Sequence, residues 1–356
     1  SRVLLSSATI PPDLVKALFI AYLEGRKVFE KACTNNTRST EVCCAWFDEF
    51  SKPKHSLLQD DDTFLKEHEL FVEKRVQNLL NLPAKRKAEI VEVHCSSIKP
   101  LDVLQNMSDT IYNSIYKLHD KHHSTHKESK KKISIGLVRM ANINPMVAVA
   151  KNIMTREHSN NFVFHFCVYH SQYPLIMRAN IEEILDQLLT RHDPNKIWTH
   201  SYFKKHVLNN KEENHVFVIF ATSIAEVGRD HDYDWAIIEP SSMRSIIQIA
   251  GRVLRHRNIL PDYNNIYILN KNYKGLQKNN VCYTKPGFES DKLNLVEKDL
   301  FKSLPENDYK IISSIPRIRK NNKIDAVHNF IDLEHMQLNV KLFGGNYGDI
   351  FAEMWW

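Results

Sequence analysis

Between residues 133 and 273 short apolar runs alternate with amphipathic stretches, and this rhythm limits the fold more than any other feature of the chain. The apolar runs cover 133–140, 162–169, 215–222, 235–239 and 266–269. Between them, 146–154, 176–189 and 243–254 repeat apolar residues at helical spacing. Strands alternating with helices argue for right-handed crossover units around a buried parallel sheet, with helices on both of its faces. In such sheets ligands sit at the carboxyl ends of the strands.

The flanks read differently. Residues 1–132 hold helical patterns at 64–82 and 102–119, and Pro11 and Pro12 suit the first turn of an earlier helix. Residues 274–356 are first rich in lysine and asparagine and then give short helical patterns. The expected organisation is therefore 1–132, 133–273 and 274–356, an α/β domain between mainly helical segments. No internal repeat is found. The chain opens on Ser1 without an initiator Met and closes on Trp355-Trp356, so it is expected to be cut from something longer.

Composition removes several classes. With 43% hydrophobic and 25% charged residues the chain is ordinary for a soluble globular protein. No apolar stretch approaches the roughly 18 to 20 residues that cross a bilayer, so no membrane partner is expected. The six cysteines form no C-x-x-C pair, which argues against a zinc ribbon and suits a reducing cytoplasm. His119, His122, His123 and His126 cluster in a lysine-rich stretch without a suitably placed acid; the expectation is a solvated loop and no metal. A net charge of +6 permits a polyanionic partner without demanding one.

The chemistry concentrates between Ala221 and Arg257. If 243–254 is one helix, Met243, Ile246, Ile247, Ala250 and Leu254 form its apolar face. Arg244, Gln248, Arg252 and Arg255 then share the opposite face. No acid lies in the stretch to pair with the arginines. Gly251 costs up to about 1 kcal/mol against Ala inside a helix, which suits close approach by a ligand or a second backbone. The stripe alone is also what a solvated charged face looks like. Upstream, an apolar run ends in Ala221-Thr222-Ser223 and continues to Glu226, Gly228, Arg229 and Asp230. Taken alone this is also a polar turn.

Gln248-Ile249-Ala250-Gly251-Arg252-Val253-Leu254-Arg255 matches Q-x-x-G-R-x-x-R, and so resembles motif VI of superfamily 2 helicases. The 222–230 stretch resembles motif V, and Ser7-Ala8-Thr9 resembles motif III. Longer strings are similar to the type I-F CRISPR-associated helicase–nuclease family. Among them are Cys44-Ala45-Trp46-Phe47-Asp48-Glu49-Phe50, Gly136-Leu137-Val138-Arg139-Met140-Ala141-Asn142-Ile143 and Tyr169-His170-Ser171. Pro240-Ser241-Ser242-Met243-Arg244-Ser245 and Lys285-Pro286-Gly287-Phe288-Glu289 continue the likeness.

The resemblance implies a RecA-like second motor domain of an ATP-driven translocase that pulls single-stranded DNA in the 3′ to 5′ direction. It implies that Arg252 and Arg255, with Gln248, meet the γ-phosphate as an arginine finger does. It places Asp230, Gly228 and Gly251 at the nucleotide, with Asp230 on the ribose. Thr222, Ser223, His170, Ser171 and Arg139 fall on the tracked strand, and Ser7, Ala8 and Thr9 at the coupling between nucleotide and domain closure. The implied cofactors are ATP and Mg²⁺. The implied partners are single-stranded DNA, a crRNA-guided surveillance complex and the adaptation integrase. In full-length relatives of this subtype a nuclease domain precedes the motor and an adaptation subunit is fused at the N-terminus.

No G-x-x-x-x-G-K-[ST] loop and no D-E-x-[HD] box occur here, so the groups that hold the phosphates and Mg²⁺ are missing and the chain alone is expected to be inactive. Another superfamily 2 RNA or repair helicase, or a non-catalytic nucleic-acid or protein-docking fragment, are the alternatives.

Overall fold

A computed structural model of the chain describes residues 2–33, 40–193, 195–226 and 228–344; Ser1, Val227 and the terminal Trp355 and Trp356 lie outside them. The chain divides into two compact units. One comprises 1–83, 313–327 and 331–356, the other 84–312 and 328–330. These boundaries differ from the expected breaks near 132 and 273, because residues 84–122 supply a strand and a helix to the sheet.

In the first unit, helix α1 (Pro12–Cys33) packs on helix α2 (Asp61–Leu80). Strands β1 (Val42–Trp46) and β2 (Lys54–Leu58) form an antiparallel hairpin between them. Phe19, Leu23, Val42, Trp46, Leu58 and Phe64 make its core, with the Phe19 and Phe64 rings stacked 4.1 Å apart. The Asp60 carboxylate accepts from Thr63 N–H and caps α2. The Ser7-Ala8-Thr9 stretch belongs to this unit. Residues 2–7 form no strand, and Val3, Leu4 and Leu5 are exposed. Among the described residues this stretch has no strand to pair with. Thr9 itself is buried, its N–H donating to Ser7 Oγ at 3.2 Å.

The second unit is built on one sheet. Strand β3 (Ala88–Val91) is followed by helix α3 (Pro100–His122), a two-residue strand β4 (Ser124–Thr125), and β5 (Lys132–Arg139). Helix α4 (Ile143–Met154), β6 (Phe162–Tyr169) and α5 (Leu175–Leu189) come next. Two short helices, α6 (Lys196–Thr199) and α7 (Ser201–Phe203), then lead to β7 (Asn214–Ala221), β8 (Trp235–Ile238), helix α8 (Met243–Ala250) and β9 (Ile266–Leu269). The order is β3-β9-β8-β5-β7-β6, all parallel, with β4 antiparallel to β5.

Burial on both faces explains the unbroken apolar runs of the central strands. Val138, Val216, Val218 and Phe220 meet α3 and α4 on one face, while Phe217 meets Phe203 of α7 on the other. Gly136 is required by contact: a Cβ there would come within 2.2 Å of the Trp235 ring on the neighbouring strand.

The histidine cluster is not a solvated loop throughout. α3 runs to His122, and His119 is buried against Ser134 Oγ (2.8 Å) and Asn214 Oδ1 (3.3 Å). Ser134 and Asn214 lie near the amino ends of the interior strands β5 and β7, and the imidazole is their polar partner there. Among the described residues no helix is long and apolar enough to cross a membrane.

Candidate functional site

β6 and β7 are neighbours in register, with Tyr169 opposite Ala221. Their next residues, His170-Ser171 and Thr222-Ser223, therefore emerge side by side at the carboxyl ends of the strands. Thr222 and His170 are buried, whereas Ser171 and Ser223 are exposed. His170 Nδ1 has no hydrogen-bond partner, and its ring stacks on Tyr173 at 4.0 Å. Burial lowers the His170 pKa from its ordinary value. A 3-10 turn, Ser223–Glu226, follows Thr222, closed by Ala225 N–H donating to the Thr222 carbonyl at 3.1 Å. Gly228 has φ +76°, a conformation open to glycine at little cost.

Arg139 does not face a nucleic-acid groove. It ends β5 with no exposed surface and is held from three sides. Its Nε and Nη2 donate to Glu226 Oε1 at 2.9 and 2.7 Å, its Nη1 to the Glu239 carbonyl at 2.9 Å, and Nη2 also to Ser245 Oγ at 3.2 Å. Ser245 Oγ donates in turn to Glu226 Oε2 at 3.1 Å. An arginine with these acceptors in a dry pocket has no donor directed at a phosphate.

The arginine helix is shorter than its apolar pattern. Ser242 caps α8 by accepting from Ser245 N–H at 3.1 Å, and α8 stops at Ala250. Tyr233 N–H donates to the Arg252 carbonyl at 2.8 Å, and Leu254 N–H to the Tyr233 carbonyl at 2.9 Å. Pairing with Tyr233 pulls 252–254 out of the helix and leaves Leu254 at φ +49°. Arg252 and Arg255 thus lie beyond the helix and do not share its polar face with Arg244 and Gln248. Gly251 is the C-cap at φ −61°, where a Cβ would meet only the Ile247 and Gln248 carbonyls at ordinary contact distance. Nothing in this unit requires its missing side chain.

Arg252 is buried. It is 7% exposed; its Nη1 donates to the Gln248 carbonyl at 3.0 Å, while its Nε and Gln248 Oε1 have no partner. Burial, and then repulsion from Arg255, press its pKa down. Arg255 pairs with Asp230, Nε to Oδ1 at 2.5 Å, and both side chains are substantially exposed. His256 Nε2 lies 3.1 Å from the same oxygen. The His256 ring beside it, with help from Arg255, keeps the Asp230 carboxyl below its ordinary range.

Beneath this surface lies a buried charge lattice that sequence reading missed. Arg257 binds Asp232 through Nε (2.7 Å) and Asp234 through Nη1 (2.6 Å), and Arg191 Nη1 reaches Asp234 at 2.8 Å. Burial opposes charge on Asp234, but Arg191 and Arg257 hold its carboxyl below the usual range. Asp232 Oδ1 also accepts from Arg255 N–H at 3.0 Å, so the lattice fixes the backbone beneath Arg255. The signal was the acidic string Asp230, Asp232, Asp234 opposite Arg252, Arg255 and Arg257.

His192, Asp230 and His256 bring ligand-type atoms within 4.8 Å of one another. His256 Nδ1 accepts from Arg191 N–H at 3.1 Å, which leaves the ring proton on Nε2, and Arg255 occupies the Asp230 carboxylate. This hydrogen bonding opposes a cation.

The parallel order of the sheet, with helices around it, defines a RecA-like domain of the kind that helicase motors use. A family model described as CRISPR-associated nuclease/helicase Cas3, C-terminal, matches residues 132–258. The CRISPR-associated nuclease/helicase Cas3 subtype I-F/YPEST of Pectobacterium atrosepticum is 44% identical over 349 residues, covering 97% of this chain and 32% of that protein. The protein of the same description from Pseudomonas aeruginosa is 38% identical over 360 residues, covering 100% of this chain and 33% of the relative. A crystal structure of T. fusca Cas3-AMPPNP superposes with a TM-score of 0.51 at 13% identity, over 95% of this chain and 34% of that one, a likeness of fold alone. Over nearly its whole length the chain is similar to part of the Cas3 nuclease/helicases of subtype I-F. It spans about a third of the length of the curated relatives it matches, 32% and 33%.

Proposed function

We propose that the chain supplies the second motor domain of an ATP-driven single-stranded DNA translocase in CRISPR interference. The observation that carries this is the state of motif VI. Arg252 Nε and Gln248 Oε1 are buried without partners, and Arg255 is held at its side chain only by a half-exposed carboxylate. Buried polar groups are nearly always satisfied. The unpaired Arg252 Nε–H beside an exposed arginine fits an anion delivered by another domain, whereas Gln248 Oε1, an acceptor, calls for a donor.

In this reading a first motor domain holds ATP, and closure brings its γ-phosphate to Arg252 and Arg255. Charge on the transferring phosphoryl oxygens grows in the transition state, and a planar, always-protonated fork stabilises it. Asp230 accepts from the ribose hydroxyls, which requires Arg255 to leave it first. Thr222, Ser223, His170 and Ser171 contact the DNA backbone, so the motor moves without reading sequence. The donors here do not suit Mg²⁺: two guanidinium groups repel a cation, and Asp230 is already engaged. Its ligands belong to the first motor domain. The likeness to nuclease/helicase relatives supports a nuclease domain in the same protein, and the motif resemblance implies a crRNA-guided surveillance complex and the adaptation integrase as partners.

DNA-stimulated ATPase of the full gene product tests the proposal. Turnover that rises with single-stranded DNA and collapses in Arg255→Ala supports it; turnover indifferent to DNA overturns it.

A further inference from the structure

Helix α8 spans the sheet. It starts after β8 at the carboxyl edge, where Thr222 and Ser223 emerge, and ends beside Tyr233, at the amino end of β8, where Arg252 leaves it. Eight residues at about 1.5 Å each make a rod of about 12 Å. Its first turn is fastened to the strand-contact edge by one assembly, Arg139–Glu226–Ser245. Glu226 closes the turn that begins at Ser223, Ser245 lies in the first turn of α8, and Arg139 is anchored at the end of β5. Both Glu226 oxygens are engaged, and Arg139 and Glu226 are both buried.

A buried ion pair is seldom kept for stability, since apolar residues of similar volume often serve as well. It does hold register and geometry. The turn between Ser223 and Glu226 is only four residues long, so a shift of Thr222 or Ser223 against a bound strand displaces the Glu226 carboxylate. That carboxylate accepts from Ser245, and Ser245 N–H is tied to the Ser242 cap. The displacement therefore reaches α8 at its first turn and is carried to Gln248 and Arg252 at the other end.

We propose that Arg139, Glu226 and Ser245 form a positioning joint that transmits strand contact at Thr222–Ser223 through α8 to the arginines of motif VI. All three are buried, behind the surface that would meet nucleotide or DNA. Arg139, expected on the DNA, acts behind it. The inference rests on the motor reading above and adds the route by which DNA accelerates turnover.

The test uses the full gene product with Ser245→Ala, which removes one hydroxyl and leaves the Arg139–Glu226 pair. ATP turnover is measured without DNA and against a series of single-stranded DNA concentrations. Coupling between two sites is typically 5- to 150-fold. The expected result is a fall of about tenfold in the maximal DNA-stimulated rate. Turnover without DNA and the half-saturating DNA concentration should stay within about twofold. Glu226→Gln should show the same split, because the amide keeps the shape and loses the charge that Arg139 holds. Equal losses with and without DNA would reduce the joint to a structural prop, and an unchanged stimulated rate would remove it. A wild-type protein without DNA-stimulated turnover would instead overturn the motor reading underneath.

Discussion

Arg255 and Asp230, expected to meet opposite ends of one nucleotide, meet each other: Arg255 Nε lies 2.5 Å from Asp230 Oδ1. The pair is exposed enough for water to screen it, so it is weak and exchangeable. In the proposed motor its breaking would belong to the cost of nucleotide engagement.

Replacing Asp230 separates its two roles. In the full gene product Asp230→Asn should raise the KM for ATP by about tenfold, the loss of one charge-assisted hydrogen bond, while kcat falls less. Steady-state kinetics at saturating DNA measure both. An unchanged KM takes the ribose from Asp230.

Arg252→Ala and Arg255→Ala should each lower kcat by about 10² to 10³, the usual result of removing one donor to developing charge. Nucleotide binding should be largely preserved. Arg252→Lys should also be poor, because an ammonium cannot replace a planar fork. Turnover near wild type in either alanine variant excludes that residue from the chemistry.

Thr222→Ala should weaken single-strand binding to a similar extent on different base compositions, since the contact is to the backbone. Fluorescence titration with several oligonucleotides of equal length reads this. Weakening confined to one sequence places Thr222 on a base instead.

Acid should destabilise the sheet unit through His119, whose pKa burial pushes down from 6.5 to about 4. Between those values the unfolded chain binds the proton and the folded one does not. Stability is thus full above pH 6.5 and is lost as pH falls toward 4, by about 1.4 kcal/mol per pH unit. Thermal unfolding of wild type and His119→Gln from pH 7.5 to 4.5 compares the slopes. The variant should be flatter; parallel curves would assign the loss to other groups.

The 356-residue chain by itself should release no phosphate from ATP, with or without single-stranded DNA, because it carries no phosphate loop. Calorimetry with ATP and Mg²⁺, followed by a phosphate-release assay, checks this. Robust turnover would mean that a phosphate site exists among residues that resemble none.

The central strands were legible because a strand buried on both faces must be apolar nearly throughout, as in 133–139 and 216–221. Helices α3, α4 and α5 were legible from their spacing. β3 was not: Ala88–Val91 is four residues after a basic run, and its strand identity comes from Ile266–Leu269 alongside. The hairpin Val42–Trp46 with Lys54–Leu58 was equally silent, each strand being too short for a pattern.

The sequence placed the arginines, the acids and the strand-end hydroxyls in an order that resembles helicase motifs V and VI, chemical types that suit phosphate and nucleic-acid backbone. Partnership was decided in three dimensions. The 243–254 pattern reads as one helix, yet Tyr233 stops it at Ala250 by taking the backbone groups of Arg252 and Leu254. Arg139 reads as a cation free for DNA, yet Glu226, 87 residues away in sequence, captures it in the core. Local spacing dictates which groups a segment carries. Which of them are neutralised depends on charges that only the sheet brings together, because ion pairs and strand pairings act across space regardless of distance along the chain.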